Sequence, residues 1–409
     1  MIRKIWKVLN RASNSNLYLF LQFCVRIIIV PLTYLLWFFE PFIKIRLYKG
    51  ETKRIGHLAS TFEVLIRTKE IDLLDKKTLN IFIVDKYPIN KTLYNMWKEH
   101  IYFIENNMLT LIYHFCVPWL RNRKHFCIKN VDHGGLPPSK PTLSFTKEQN
   151  IQGHNLAKNM GIDKDDWFVC LHNRSSMYLK TIRPTDDFSY HNLRDCSFEM
   201  LYESAKLIMD KGGKCIRMSS GEQNKLSINA PSNIIDYAGK CQSDFMDIYL
   251  PTKCKFMIGA QSGLIEVSKI FNIPTGITNM WPLIEVGMNM NSLYIPKLLW
   301  SIEDKKFLSY KEIVDYNLGK YDTSADYISH GLELVENDAD DIKLLTLDMF
   351  DLENNKKLSI KDENIRNDFM NKYFIVPKFV NKHSSDEGLK FSGKISWRFL
   401  NKHSYLMNN

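Results

Sequence analysis

A turn of small residues, Gly259-Ala260-Gln261-Ser262-Gly263, follows the apolar run Phe256-Met257-Ile258. Leu264, Val267, Ile270 and Phe271 then recur at helical spacing until Pro274 closes the helix. A strand, a tight turn and a helix in that order bring backbone N–H groups to a helix N-terminus, where an anionic group is favoured. A glycine-containing turn alone is weak evidence, and its weight comes from a second stretch upstream. There the apolar run 167–171 has strand length and delivers His172, Asn173, Arg174 and Ser175 at its C-terminal end. In open α/β sheets ligands bind at such ends. Arg174 is a rigid donor fork suited to phosphate; a surface ion pair is its other ordinary use. A further strand, KCIRM, delivers Arg217 and Ser219.

The elements that must hold these residues follow a regular order. Phe198, Leu201, Tyr202, Ala205, Ile208 and Met209 mark an amphipathic helix that ends at Gly212 and Gly213. After KCIRM comes a short apolar segment, IIDYA, ending near Asp236, and Ser243 caps the helix SDFMDIYL. Strands alternating with helices predict a parallel, doubly wound sheet. Upstream, KRIGHLAST reads as a short strand meeting a turn at Gly56 and His57, and the helix TFEVLIRTKEIDLL carries Glu63. NIFIVDKYPIN and IYFIEN read as two more strands, the first ending at Asp85, with helices over 89–100 and 107–120. The Gly- and Pro-rich stretch 133–141 reads as a loop at a domain boundary, and a helix follows it. The long loop 175–195 carries Tyr178, Lys180, Arg183, Asp187, His191, Asn192, Arg194 and Asp195. Loops of this length tend to be functional, so a cover over a ligand is expected, a solvated insertion being the alternative. Trp281 is placed to stack on a ring or to pack in the core. A short helix is expected over 310–317, and helix from about 320 onward.

At 409 residues the chain is long enough for two cored domains, and its hydrophobic content of 45% argues a folded protein. The net charge of +10 is concentrated at one end: residues 1–54 hold ten Lys and Arg against Glu40 and Glu51, leaving +2 for the rest. A nucleic-acid binder would carry a basic stripe on its globular part, so that class is not favoured. Residues 17–39 are strongly apolar but interrupted by Gln22, Arg26 and Pro31, and flanked by bases. Three readings stand: monotopic docking on an anionic membrane, a buried helix pair, or a spanning helix. No small-residue cleavage site follows, so a secretory signal is not expected. The eight cysteines form no CxxC pair, which fits reduced thiols. His114, Cys116, His125 and Cys127 fall in helix and strand patterns and read as core rather than metal ligands. Asp338-Ala-Asp340, an Asp-x-Asp triplet, reads as a helix start.

The ordered set HNR, HNLRD, GGKCIRM, IIDYA, SDFMDIYL and KFMIGAQSGLIEVSKIFNIP resembles an uncharacterised bacterial glycosyltransferase family of surface-polysaccharide synthesis, GT-B-like in pattern. The resemblance covers roughly residues 45–315 and is best over 167–282. Ser219 departs from the pattern, which has Gly there. The resemblance implies two Rossmann-like doubly wound domains, with an N-terminal apolar helical segment and a helical C-terminal tail. Its parts would be a basic membrane-associating segment (1–50), an acceptor-side domain (51–140), a nucleotide-sugar-binding domain (141–320) and a helical extension (321–409) that returns to the first domain. It further implies sugar transfer from a nucleotide sugar to a lipid-linked or polysaccharide acceptor at the cytoplasmic face of the inner membrane. No cofactor or metal is expected. The implied donor-binding residues are His172, Arg174, Arg194, Arg217, Gln261, Ser262, Gly263 and Glu266, the last reaching ribose hydroxyls. His57 is the expected base for the acceptor hydroxyl, with Glu63 as the alternative. A nucleotide-sugar epimerase of the same fold and a non-catalytic membrane-bound scaffold are the rival readings.

Overall fold

A computed structural model describes residues 44–70, 78–110, 136, 139–175, 193–218, 226–227, 229–281, 291–321, 323–373 and 393–407, with single positions between 20 and 42. The chain divides into two compact units, Met1–His133 and Gly134–Asn409.

The first unit is built from β1 (Lys44–Gly50), α1 (Ile55–Glu70), β2 (Thr78–Val84), α2 (Lys91–Lys98) and β3 (Tyr102–Glu105). The three strands pair in parallel in the order β1-β2-β3. Phe62 is the hub of its core, with its ring centroid 4.9 Å from Phe82, 5.1 Å from Phe103 and 5.6 Å from Trp97. Gly50 is required beside it, because a Cβ there would lie 2.7 Å from Val84 Cγ1. Two expectations are corrected. The first strand is KIRLYKG, inside the stretch assigned to membrane association, and KRIGHLAST contains a helix start rather than a strand. Gly56 suggested a turn, but Leu58, Ala59, Phe62 and Leu65 are buried at helical spacing and carry the helix back to Ile55. Among the described residues the unit is wound in one direction only, so double winding belongs to the second unit.

Of the apolar stretch 17–39, the described residues Phe20, Phe23, Ile27, Tyr34, Phe38 and Phe39 are helical and exposed. No described helix is long and apolar enough to cross a membrane. Apart from Cys24 and Pro31, which are also helical, the remainder of that stretch lies outside the described residues, as do His114, Cys116, His125 and Cys127, the loop 176–192 and Ser219.

The second unit runs α3 (Lys147–Asn159), β4 (Phe168–His172), α4 (Tyr202–Asp210), β5 (Lys214–Arg217), β6 (Ile234–Ile235), α5 (Tyr237–Lys240), α6 (Met246–Lys253), β7 (Met257–Ala260), α7 (Gly263–Ile270) and β8 (Thr275–Met280). It continues through β9 (Ser292–Pro296), β10 (Leu298–Ser301), β11 (Lys306–Phe307), α8 (Tyr310–Asp315), α9 (Ser324–Ser329), β12 (Leu332–Val335), α10 (Ala339–Glu353), α11 (Ile360–Tyr373), β13 (Lys394–Ile395) and α12 (Trp397–Lys402). Its main sheet has the order β13-β9-β8-β7-β4-β5-β6. Every pair in it is parallel. From β4 the chain steps outward to β5 and β6, then returns to the other side of β4 and steps outward through β7, β8 and β9. Right-handed crossovers travelling in opposite directions put their helices on opposite faces. The sheet is therefore doubly wound, with its switch point between β4 and β7.

Local chemistry accounts for the boundaries. Thr146 and Gln149 form a reciprocal capping box at α3, and Ser243 Oγ accepts from the Met246 N–H at the head of α6. Asp338 caps α10 by accepting from the Asp341 N–H at 2.7 Å, so the Asp338-Ala-Asp340 triplet is a helix start.

The region after 290 departs from expectation. Residues 298–335 contribute a small antiparallel sheet, β11-β10-β12, where helix was expected from about 320. Leu299, Leu308 and Leu332 bury apolar side chains there, and short pairings of this kind leave little periodicity to read. The chain end, expected to return to the first domain, adds an edge strand to the second unit's sheet. Asp348, buried on α10, accepts from Ser396 Oγ at 2.6 Å and the Arg398 N–H at 3.0 Å and pairs with the Arg398 guanidinium. Ile395, Phe399, Leu400 and Leu406 are buried beside it.

Candidate ligand site at the switch point

Two strand ends meet at the switch point. β4 is buried along its whole length and ends at His172, which pairs with Gly259 of β7. A Cβ at position 259 would lie 2.2 Å from the His172 carbonyl oxygen, so only glycine lets these backbones approach. Beyond Gly259 the chain turns through Gln261 and Ser262 into α7. Ser262 occupies the N-cap position in extended conformation, yet its side chain makes no capping bond. Its Oγ is buried and without a partner among the described residues. A hydroxyl left in that state beside α7's N-terminal N–H groups points to an anion as its counterpart.

His172 is buried. Burial pushes the imidazole down to about 4; the Met218 backbone, just past β5, opposes this, and the nearby Arg174 charge adds to it. The ring is neutral at physiological pH, and its Nδ1 has no partner among the described residues.

Arg174 is held by the chain that closes the long loop. Asn173 Nδ2 donates to the Cys196 carbonyl at 3.1 Å, and the Cys196 N–H donates to the Arg174 carbonyl at 3.2 Å. This zips residues 173–174 to 195–196 and sets the Arg174 guanidinium on the Asp195 carboxylate. Lys297, just past β9, donates from Nζ to the Asp195 carbonyl at 3.0 Å and stands 4.0 Å from Glu336. Burial pulls the Lys297 ammonium below its ordinary value, against the opposing pull of Glu336. Two cations and two carboxylates thus form one cluster at the C-terminal edge of the sheet.

A third strand end belongs to the same edge. Asn279, the penultimate residue of β8, is in left-handed conformation (φ 51°). Its Oδ1 accepts from the Asn337 N–H at 2.8 Å, its own N–H donates to Asn337 Oδ1 at 2.6 Å, and Asn337 Nδ2 reaches the Pro296 carbonyl at 2.7 Å. Both asparagines are fully buried, and Asn279 Nδ2 is a donor without a partner among the described residues.

The structure therefore brings His172, Arg174, Gln261, Ser262 and Gly263 to one edge, on adjacent strands. Arg194, half-buried, lies next to Asp195 on the same closing segment. Arg217 ends β5 buried, with Nη1 2.9 Å from Asp236 and its guanidinium over the Phe198 ring at 5.5 Å. Glu266 is bound by the buried Lys269 at 2.7 Å, an i,i+3 pair on α7. Trp281 is fully buried, with Nε1 donating to Tyr327 at 3.0 Å, so it is a core residue. In the first unit His57 is half-buried in the first turn of α1. Glu63 has no exposed side-chain surface and accepts from Arg67 Nε at 2.6 Å. Among the described residues no group of three or more His, Cys, Asp and Glu is placed to hold a metal ion. Sequence reading did not find Asp195 as the partner of Arg174, nor Lys297, Asn279 and Asn337 as parts of this edge.

No protein-family model matches the chain. Nor does any curated protein sequence match it at a significant level. Solved structures overlap it loosely. The heptosyltransferase II of E. coli, an ADP-heptose lipopolysaccharide enzyme, is 12% identical over 63% of this chain and 91% of its own, with a TM-score of 0.39. A glycosyl transferase family 9 protein of Veillonella parvula is 10% identical over 74% of this chain and 97% of its own, at 0.47. E. coli heptosyltransferase WaaC with ADP is 10% identical over 62% and 90%, at 0.31. Overlaps this loose assign neither fold nor chemistry, which rest on the geometry of the chain itself.

Proposed function

We propose that the protein is a glycosyltransferase of cell-surface glycan synthesis that binds a nucleotide-sugar donor at the switch point of the second unit. The observation that carries this reading is Ser262 Oγ, buried without a partner among the described residues at the head of α7 and one strand away from His172 and Arg174. The donor's diphosphate would lie on the N-terminal N–H groups of α7 and Ser262 Oγ, with Arg174 as the cationic clamp. Such a site stabilises the negative charge that develops on the leaving diphosphate as the bond from the sugar's anomeric carbon breaks. The motif order in residues 167–282 supports the same reading by resemblance. The acceptor, a glycan or glycolipid, would be met at an anionic membrane surface; the exposed Phe20, Phe23, Ile27 and Phe38 in a basic stretch support that.

The test is a binding screen of the full chain against GDP, UDP, ADP, CDP and their common sugar conjugates, with and without Mg²⁺. A ligand at a hundred times its Kd stabilises by about 2.7 kcal/mol, well within reach of a thermal shift. Arg174→Ala should weaken the best ligand by about 1.5–3 kcal/mol, the worth of a charge-assisted hydrogen bond. Release of nucleoside diphosphate from the conjugate separates a transferase from an epimerase and from a scaffold. No shift with any nucleotide refutes the proposal.

A further inference from the structure

Asn279 sits in a bulge. β8 advances three residues from Ile277 to Met280 while β9 advances two, from Tyr294 to Pro296, so β8 carries one residue extra at Thr278-Asn279. Asn279 takes up the excess in left-handed conformation, which asparagine tolerates. Asn337 then clamps it. The Asn337 N–H donates to Asn279 Oδ1 at 2.8 Å, and Asn337 Oδ1 accepts from the Asn279 N–H at 2.6 Å. The first of these bonds fixes the orientation of the Asn279 amide. A backbone N–H can only donate, so the side-chain atom it meets is the oxygen, and the other is the NH₂. An NH₂ offers donors and no acceptor, so what Nδ2 lacks is an acceptor. It is buried, in a residue with no exposed surface, and has no partner among the described residues. The left-handed backbone and the clamp account for the rest of Asn279 and leave this group without a use.

Its surroundings show which acceptor suits it. β7 and β8 are last paired at Ala260 and Thr278, so Asn279 stands one residue further on, beside the Gln261-Ser262 turn into α7. On its other side Asn337 Nδ2 holds the Pro296 carbonyl, and the next residue, Lys297, reaches the Asp195 carbonyl and stands near Glu336. Arg174 and Lys297 are matched by Asp195 and Glu336, so these four side chains carry no net charge. The N–H groups at the head of α7 therefore tip this edge toward an anion.

We infer that Asn279 is a phosphate-binding residue: Nδ2 donates to a non-bridging oxygen of the diphosphate that lies on α7. The inference rests on the nucleotide-sugar reading of the site and extends the donor set for the diphosphate from the end of β7 to the end of β8. A donor clamped by backbone on both sides needs no reorganisation as charge grows on the leaving diphosphate.

Inorganic pyrophosphate is the probe, because it carries the diphosphate and neither base nor sugar. The first measurement uses the full chain labelled with ¹⁵N in asparagine and glycine. The Asn279 side-chain NH₂ is assigned through its dipolar contacts to the Asn337 N–H, so no variant of Asn279 is needed. The expected result is that pyrophosphate moves both the Asn279 NH₂ pair and the Gly263 N–H, while adenosine, guanosine, uridine and cytidine leave the Asn279 pair in place. Movement of the Gly263 N–H with a still Asn279 pair overturns the inference and leaves the proposed site standing; movement of neither overturns both. An Asn279 pair that answers only to nucleosides assigns it to the base or ribose and overturns the phosphate contact. The second measurement is titration calorimetry with pyrophosphate. Asn279→Asp keeps an oxygen for the Asn337 N–H and suits the left-handed backbone, but presents an acceptor where the ligand needs a donor. It should bind pyrophosphate at least about tenfold more weakly than wild type. Asn279→Gly also suits the backbone and removes the donor without adding charge, so it should lose less. Equal affinity in wild type and Asn279→Asp overturns the assignment. A larger loss in Asn279→Gly than in Asn279→Asp traces the effect to the bulge rather than the donor and overturns it as well.

Discussion

Gly259→Ala is the sharpest perturbation of the switch point. The added Cβ would meet the His172 carbonyl oxygen at 2.2 Å and His172 Cβ at 2.9 Å. Ordinary contacts of this kind exceed about 3.3 Å, so β4 and β7 must separate by roughly 1 Å at their C-terminal ends. The obstacle is backbone in the middle of a parallel sheet, which cannot swing aside as a side chain can. Overpacking costs about 1–3 kcal/mol and sometimes more, and a weakened ladder hydrogen bond adds about 1 kcal/mol. The stiffer unfolded chain of an alanine variant returns about 0.4–1 kcal/mol. The net is about 1–3.5 kcal/mol, equivalent to a fall in Tm of at least about 3 °C for a unit of this size. Gly276→Ala is the control: its Cβ would meet the flexible Met349 Cγ at 3.2 Å, so its Tm should stay within about 2 °C of wild type. Scanning calorimetry of the full chain reads both, and hydrogen exchange at the Ala260 and Gly263 amides locates the damage. The same displacement shifts Ser262 relative to His172, so nucleotide affinity should fall with stability. A Gly259→Ala protein that melts with wild type, or a Gly276→Ala protein that melts as low, would refute the close-approach argument.

The other predictions concern charge. Glu63→Gln should cost about 3–5 kcal/mol in denaturant unfolding, because Arg67 keeps its buried charge when its ion partner goes, whereas Glu63→Leu with Arg67→Leu should be near neutral; an unchanged unfolding midpoint in Glu63→Gln would instead leave Glu63 available for catalysis. His172 has a folded pKa of about 4 against an ordinary 6.5, so the stability it contributes is present above 6.5 and lost as pH falls toward 4, about 3 kcal/mol in all. His172→Gln should therefore lose less stability than wild type on acidification through that window, as read by Tm against pH. Asp247 acts in the opposite sense: burial raises it from 3.8 to about 6, so its stabilisation is present below 3.8 and lost as pH rises through 6, and Asp247→Asn should be the more acid-sensitive protein between pH 4 and 6. Asp348→Ala removes the acceptor of Ser396 Oγ and the Arg398 N–H and one of the two carboxylates on the Arg398 guanidinium, Asp351 remaining, and hydrogen exchange over residues 394–407 should rise at least tenfold, in line with a loss of about 1.5–3 kcal/mol; unchanged protection would show that these contacts do not hold the chain end.

What sequence reading recovered, and what it missed, divides by range. The run from β4 to β8 was legible because each element carries its own signal: apolar runs of strand length, helical spacing and glycines or caps at the ends. That run also contains the switch point, so His172, Arg174, Ser262 and Gly263 were found together. The missed members have partners that local pattern cannot show. Lys297 meets Asp195 across 102 positions and Asn337 meets Asn279 across 58, and neither lysine nor asparagine is unusual in its own stretch. β9 and β13 pair in parallel where Asp348 gathers Ser396 and Arg398 and the chain end buries Ile395, Phe399 and Leu400, which is a tertiary event.

Arg217 and Glu266 are ion-paired within the second unit. Each has the chemistry a nucleotide site needs at a plausible strand or helix position. Asp236, nineteen residues past Arg217, takes its guanidinium, and the buried Lys269 takes the Glu266 carboxylate. A strand-end arginine has as many uses in holding a sheet edge as in holding a ligand, so type and position cannot separate them. His172 Nδ1, Ser262 Oγ and Asn279 Nδ2 are buried with no partner among the described residues. An unmet polar atom in a folded core costs about 1–3 kcal/mol, a cost that a ligand meeting the need would remove. Three such atoms on adjacent strand ends, beside a helix N-terminus and an arginine, locate the site by what it lacks.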